Sequence, residues 1–147
     1  MLDLKNIYDT LEDHYMDITK KYLSLSEHNL QEVMTQHPSV YAFFGGVNAY
    51  AKKEMDLASL LLETREAELR EARREELKSL GQKVTDRSLD GYLKTLSELQ
   101  ALSAGVVKKS HKYHLSRNIM SSLDHQKDII VQLSANKRAE TKLIEQL

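Results

Sequence analysis

Apolar residues recur at helical spacing from the start of the chain: Leu4, Ile7, Leu11, Tyr15, Ile18, Tyr22 and Leu25, with acidic residues between them. This spacing predicts a first, acidic helix within residues 1–36, ending before His37-Pro38, because proline disfavours helix in the residue before it and fits a first turn. Pro38 is then expected to open a second helix over residues 38–80. Its stripe runs through Val40, Phe44, Val47, Ala51, Ala58, Leu62, Leu69, Ala72 and Leu80, on one face at about 100° per residue. From Ser39 to Leu80 such a helix is about 60 Å long at about 1.5 Å per residue, and it needs a partner. Gly45-Gly46 inside it costs about 1 kcal/mol per glycine relative to alanine, which points to close packing or a local kink.

The stretch "EELKSLGQKVTDRSLDGYL" interrupts this pattern. Gly81 follows the last apolar position, where a left-handed residue ends a helix, and Lys78 suits the negative end of the helix dipole. Thr85 is placed to cap the next helix, with Asp86 at its positive end. Residues 81–85 therefore read as a turn, with Lys83 and Arg87 at the tip of a long antiparallel helical hairpin.

In the third segment, residues 86–147, the apolar face changes sides. Leu89, Tyr92, Leu96, Leu99 and Val106 form one seam, whereas Ile119, Leu123 and Ile130 project to roughly the opposite side of an ideal helix. One straight helix on one partner cannot bury both. Either the helix breaks or shifts register around "YHLSRNIMSS", or the later half packs on another subunit. The second is the preferred expectation, with Ile119, Leu123, Ile130 and Leu133 as an oligomer interface. The fold expected is all-α: one helical domain over residues 1–147, a hairpin plus an N-terminal helix, assembling as a homo-oligomer.

Composition supports this class. Five glycines and one proline leave little material for a turn-rich sheet, and 29% charged against 6% aromatic residues suits long paired helices with a thin apolar seam. The absence of cysteine excludes disulfides, thiolate metal sites and a cysteine nucleophile. "MLDLKNIYDTLEDHY" has neither a basic leader nor an unbroken apolar run, and no window reaches membrane-spanning length, so a cytoplasmic protein without a membrane partner is expected. No nucleophile elbow, phosphate loop, zinc-protease motif or dinucleotide fingerprint is present, and no enzymatic activity is expected.

The net charge of -1 hides an asymmetry. Residues 1–36 carry three lysines against seven acids, a net of -4, and residues 81–147 carry eleven cations against seven acids, a net of +4. The densest basic run is "VVKKSHKYHLSR". Lys108 and Lys112 share a face at i,i+4, Lys94 falls on about the same face, and Lys109 lies beside it. These like charges cost stability that an anionic partner would offset, and Tyr113 offers a ring on which a base can stack. Taken alone, such a cluster is first read as a solvated helix face with Tyr113 in a seam. His111 and His114 lack a third ligand, so no metal site is expected. "ETREAELREARREEL", with mixed charges at i,i+3 and i,i+4, reads as a salt-bridged, solvated face.

Three stretches, "HPSVYAFFGGVNAYAKKEMDLA", "GQKVTDRSL" and "DHQKDIIVQLSANKRAE", resemble the UvsY-type recombination mediators of lytic bacteriophages, over roughly residues 37 to 140. The resemblance implies a small helical protein that forms ring-like homo-oligomers and binds single-stranded DNA. Such mediators help a RecA-like recombinase displace the single-strand-binding protein and nucleate its filament. No cofactor is implied, since any nucleotide hydrolysis belongs to the recombinase. A basic Leu-Lys-Ala-Arg-Leu element serves DNA binding in the family; the corresponding place here reads "DLASL", without either basic residue. The nearest cations are Lys52 and Lys53 upstream and Arg70 and Arg73 downstream. Weight shifts to Lys108, Lys109, Lys112, Tyr113 and Arg117, and to Lys83 and Arg87 at the turn. Binding would be multivalent, salt-sensitive and indifferent to sequence. The alternative from another class is a helical scaffold or assembly protein of a phage particle, whose lysines would be paired with neighbouring carboxylates.

Overall fold

A computed structural model describes residues 3–146, so the ends of the expected 1–147 domain lie outside the described residues. The fold is all-helical, with no strand among the described residues. Five helices follow in order: α1 (Leu4–Asp9), α2 (Leu11–Leu23), α3 (Leu30–Ser79), α4 (Asp86–Lys94) and α5 (Ser97–Glu145). By compactness the described chain divides into two units. The first takes the residues up to Tyr50 and those from His114 onward; the second is Ala51–Tyr113.

The first unit is built on an apolar core. Leu11 and Ile18 of α2, Phe44 and Val47 of α3, and Ile119 and Leu123 of α5 are buried together, with Ile7, Tyr15, Tyr22, Val40, Phe43 and Met120 packed around them. Edge-to-face ring pairs Tyr22–Phe44 and Tyr8–Tyr50, with centroids 5.3 and 5.0 Å apart, extend it. Two buried polar side chains are satisfied: the Ser116 hydroxyl donates to Asn48 Oδ1 at 3.0 Å, and Gln126 Nε2 donates to the Tyr22 carbonyl at 3.1 Å. A Cβ on Gly46 would come within 3.1 Å of Leu4 Cδ2, so this glycine admits the close approach of α1.

Here the structure corrects three expectations. The expected first helix is two, α1 and α2, interrupted at Thr10, and the second stops at Leu23, well before residue 36, because Asn29 organises a connection in its place. Its Oδ1 accepts from Ser26 N at 2.7 Å, and its Nδ2 donates to the Ser24 carbonyl at 3.2 Å, a local alternative to helical bonding. The second helix starts at Leu30 and passes through Pro38, although an interior proline costs about 3 kcal/mol or more. Packing on both sides of the proline offsets this: Val40 joins the core, and His37 Nε2 lies 3.0 Å from the Leu123 carbonyl. Third, Ile119 and Leu123, expected to await another subunit, are fully buried by the chain itself, and Ile130 is 9% exposed. Within this unit α2 supplies the extra partner that the second apolar face of α5 requires. Leu133 is half-buried.

The second unit has a thinner seam, with Ala51, Leu77, Leu89, Leu93 and Leu99 buried. The turn forms as expected. Gly81 has φ +68°, Gln82 N donates to the Leu77 carbonyl and Gly81 N to the Lys78 carbonyl, both at 3.0 Å, which is a Schellman ending. Thr85 caps α4 reciprocally with Ser88. The third helix breaks, though not around "YHLSRNIMSS", where α5 is continuous. It breaks at Thr95-Leu96, where the Thr95 hydroxyl donates to the Tyr92 carbonyl at 2.7 Å and Gln100 Nε2 to the Lys94 carbonyl at 2.9 Å. No helix among the described residues is long and apolar enough to cross a membrane.

Candidate nucleic-acid interface

Ten of the eleven residues named for DNA binding fall in the second unit: Lys52, Lys53, Arg70 and Arg73 on α3, Lys83 in the turn, Arg87 on α4, and Lys108, Lys109, Lys112 and Tyr113 on α5. Arg117 lies in the first unit, exposed on α5. Lys94, read as sharing the face of Lys108 and Lys112, ends α4 instead, on the far side of the Thr95-Leu96 break.

Along α3 the charges rise in number as their partners on α5 and α4 fall. Glu54 pairs with Lys109 at 2.9 Å, Arg65 with Glu98 at 2.6 Å, Arg70 with Asp90, and Arg74 with Asp86 at 4.0 Å. Within the second unit these segments therefore run antiparallel. Pairs within the charged run itself, Arg65–Glu68 at 2.9 Å, Arg73–Glu76 at 2.8 Å and Arg74–Glu71 at 3.2 Å, bear out its salt-bridged reading, and upstream of it Lys52 pairs with Asp56 at 2.8 Å.

Four named cations thus already hold a carboxylate: Lys52, Arg70, Arg73 and Lys109. The hydrogen bond and charge of Asp56 raise the pKa of the Lys52 ammonium above its ordinary value, with a smaller contribution from Tyr113. Asp90 does the same for Arg70. Arg73 is further committed, with its guanidinium carbon 4.5 Å from the centre of the Tyr92 ring and its buried Nε without a hydrogen-bond acceptor. A phosphate would have to compete with carboxylates for all four.

Three named cations differ. Lys83, Arg87 and Lys108 are exposed, and no ion pair involves them among the described residues. Lys53 is exposed and Lys112 and Tyr113 are half-buried; all three make contacts of their own, and Tyr113 offers only part of its ring. The structure ties Lys109 to Glu54 where the first turns of α3 in this unit meet α5, and Lys52 on that stretch of α3 feels the charge of Tyr113. Lys108 and Lys112 stand one turn apart on that same α5 segment, whereas Arg70, Arg73 and Arg87 belong with α4 at the turn end. Glu54 was missed as the partner of Lys109, since a tie across 55 positions leaves no local signal. A legible signal was also missed: from Leu99 to Leu123 the chain carries Lys108, Lys109, Lys112 and Arg117 and no carboxylate.

Neither a family model, nor a curated protein, nor a solved structure matches this chain.

Proposed function

We propose that this protein is a recombination mediator that binds single-stranded DNA without sequence preference. It would help a RecA-like recombinase load onto strands covered by single-strand-binding protein. The observation that carries the reading is the α5 segment of the second unit, Leu99–Tyr113, which bears three lysines and no carboxylate and leaves Lys108 exposed without an ion pair among the described residues. An anion meets no repulsion from that segment, and phosphate contact by such lysines releases counterions whatever the base sequence. The assembly belonging to this reading is a ring-like homo-oligomer of helical hairpins in the cytoplasm of a bacterial host, where several copies raise the effective concentration of each further contact.

The reading is tested by fluorescence anisotropy of labelled oligo-dT at low and moderate salt, with the particle mass followed in parallel. Salt-sensitive binding that Lys108→Glu/Lys112→Glu weakens at unchanged mass is expected. Absence of binding at low salt by the folded protein would overturn the reading. A second reading, a helical scaffold or assembly protein of a phage particle, is favoured by one observation: Lys52, Arg70, Arg73 and Lys109 are paired with carboxylates. Under it the protein would bind no strand and all four pairs would serve packing.

A further inference from the structure

Tyr113 is the ring named for base stacking, yet it lies on the wrong side of α5 for a strand held by Lys108. Lys109, one turn before Tyr113, bonds Glu54 of α3 at 2.9 Å, and Tyr113 itself contributes to the raised pKa of Lys52 on α3. That edge of the helix is therefore turned to α3, and Tyr113 is half-buried there. At about 100° per residue Tyr113 lies about 140° around the helix from Lys108, so a base on its ring is far from a phosphate on that ammonium. The outward side of the same segment differs. His111, three residues after Lys108 and about 60° from it, is exposed, and no hydrogen bond, ion pair or ring contact involves it among the described residues. Val107 is 69% exposed. A single exposed apolar residue is ordinary, but Val107 stands at i,i+4 from His111, close enough for the two side chains to meet. Before them comes only the small, exposed side chain of Ala104.

We infer that Val107 and His111 form a platform for an unpaired nucleobase, with Lys108 beside it to hold a phosphate of the same strand. An imidazole ring stacks on any base, because every base has a π-face, and Val107 extends the apolar surface under it. The bases of a duplex are stacked on one another, so a duplex would meet only the lysine. The inference rests on the strand-binding reading and adds what phosphate contact alone lacks, a means of telling an unpaired strand from a paired one. It also replaces Tyr113 by His111 as the stacking ring.

The chain contains no tryptophan, so a single indole can report on each position. In the full chain, with helicity checked by circular dichroism, the emission of His111→Trp is expected to be quenched by oligo-dT and unchanged by an abasic strand of equal length. Tyr113→Trp is expected to respond to neither. In anisotropy, His111→Ala should weaken oligo-dT binding by about fivefold or more, the loss of one stacked base, and leave binding of the abasic strand at the wild-type level. His111→Phe should restore oligo-dT binding. Quenching of Tyr113→Trp with none of His111→Trp would overturn the platform. So would a His111→Ala variant that binds both strands as the wild type does; in either case strand binding through Lys108 would stand. A folded wild type that binds no strand at low salt would overturn the inference together with the reading it rests on.

Discussion

The two units solve the same problem with different materials. The first closes α1, α2, the start of α3 and the end of α5 around Phe44, Leu11, Ile119 and Leu123, with aromatic rings and two satisfied buried polar groups. The second closes α4, the later part of α3 and the start of α5 over a narrow line of leucines and lays ion pairs along its flanks. Exposed ion pairs contribute little to stability, so the comparison teaches where each kind of residue is spent. Apolar volume carries the first unit. In the second, charges fix which helix lies beside which, and some cations remain available to a ligand.

The largest test of this contrast is core truncation. Phe44→Ala should cost about 3–5 kcal/mol in urea denaturation, as for a fully buried aromatic side chain. Leu89→Ala, in the second unit and also fully buried, should cost about 2–5 kcal/mol. A cost of Leu89→Ala below about 1 kcal/mol would mean that the charges, and not the seam, hold that unit.

The turn comes next. Thr85→Ala should lose about 1 kcal/mol with the reciprocal cap, and Gly81→Ala should lose a similar amount because φ +68° strains any residue with a Cβ. If neither shifts the denaturation midpoint, the turn is not part of the cooperative structure.

Smaller still is the ion-pair effect. Arg65 is held charged by Glu98 and then Glu68, but all three ends meet solvent, so Arg65→Ala should leave the midpoint unchanged at moderate salt. A clear loss would show that the cross-helix pairs stabilise as well as orient.

A further small effect is confined to high pH. The hydrogen bond and charge of Asp124 raise the pKa of the Tyr41 phenol above its ordinary value of 10.0. The folded state therefore keeps this proton longer than the unfolded chain. The stabilisation is complete below about pH 10 and is lost as pH rises through the raised pKa. Tyr41→Phe should flatten that part of the stability profile, and an unchanged slope would mean that the pair does not form in solution.

Much of the second unit was legible. Gly81 and Thr85 announce a helix end and a helix start by their chemistry, and Leu89 and Leu99 fall on the seam their spacing predicts. The first unit was less so, because tertiary contacts override local signals there. Pro38 reads as a boundary in any sequence, yet the core that holds Val40 and Phe44 carries the helix through it. Ser24 to Asn29 carry no strong breaker, and only the Asn29 side chain bonds show why α2 ends. The face of Ile119 and Leu123 was correctly read as needing a second partner; spacing alone could not say that α2 provides it. For the candidate site, sequence supplied the cations, but their pairing across helices decides which remain available.

The most direct measurement of the account is the salt dependence of oligo-dT binding in two single variants, one from each unit. For single strands each phosphate contact adds about 0.7 to the slope of log affinity against log salt. Lys108→Ala, in the second unit, should lower the slope by about that amount per bound copy, while Lys20→Ala, exposed on α2 of the first unit, should leave it at the wild-type value. Equal slopes for wild type and Lys108→Ala, or a lower slope for Lys20→Ala alone, would contradict the placement of the strand on the second unit.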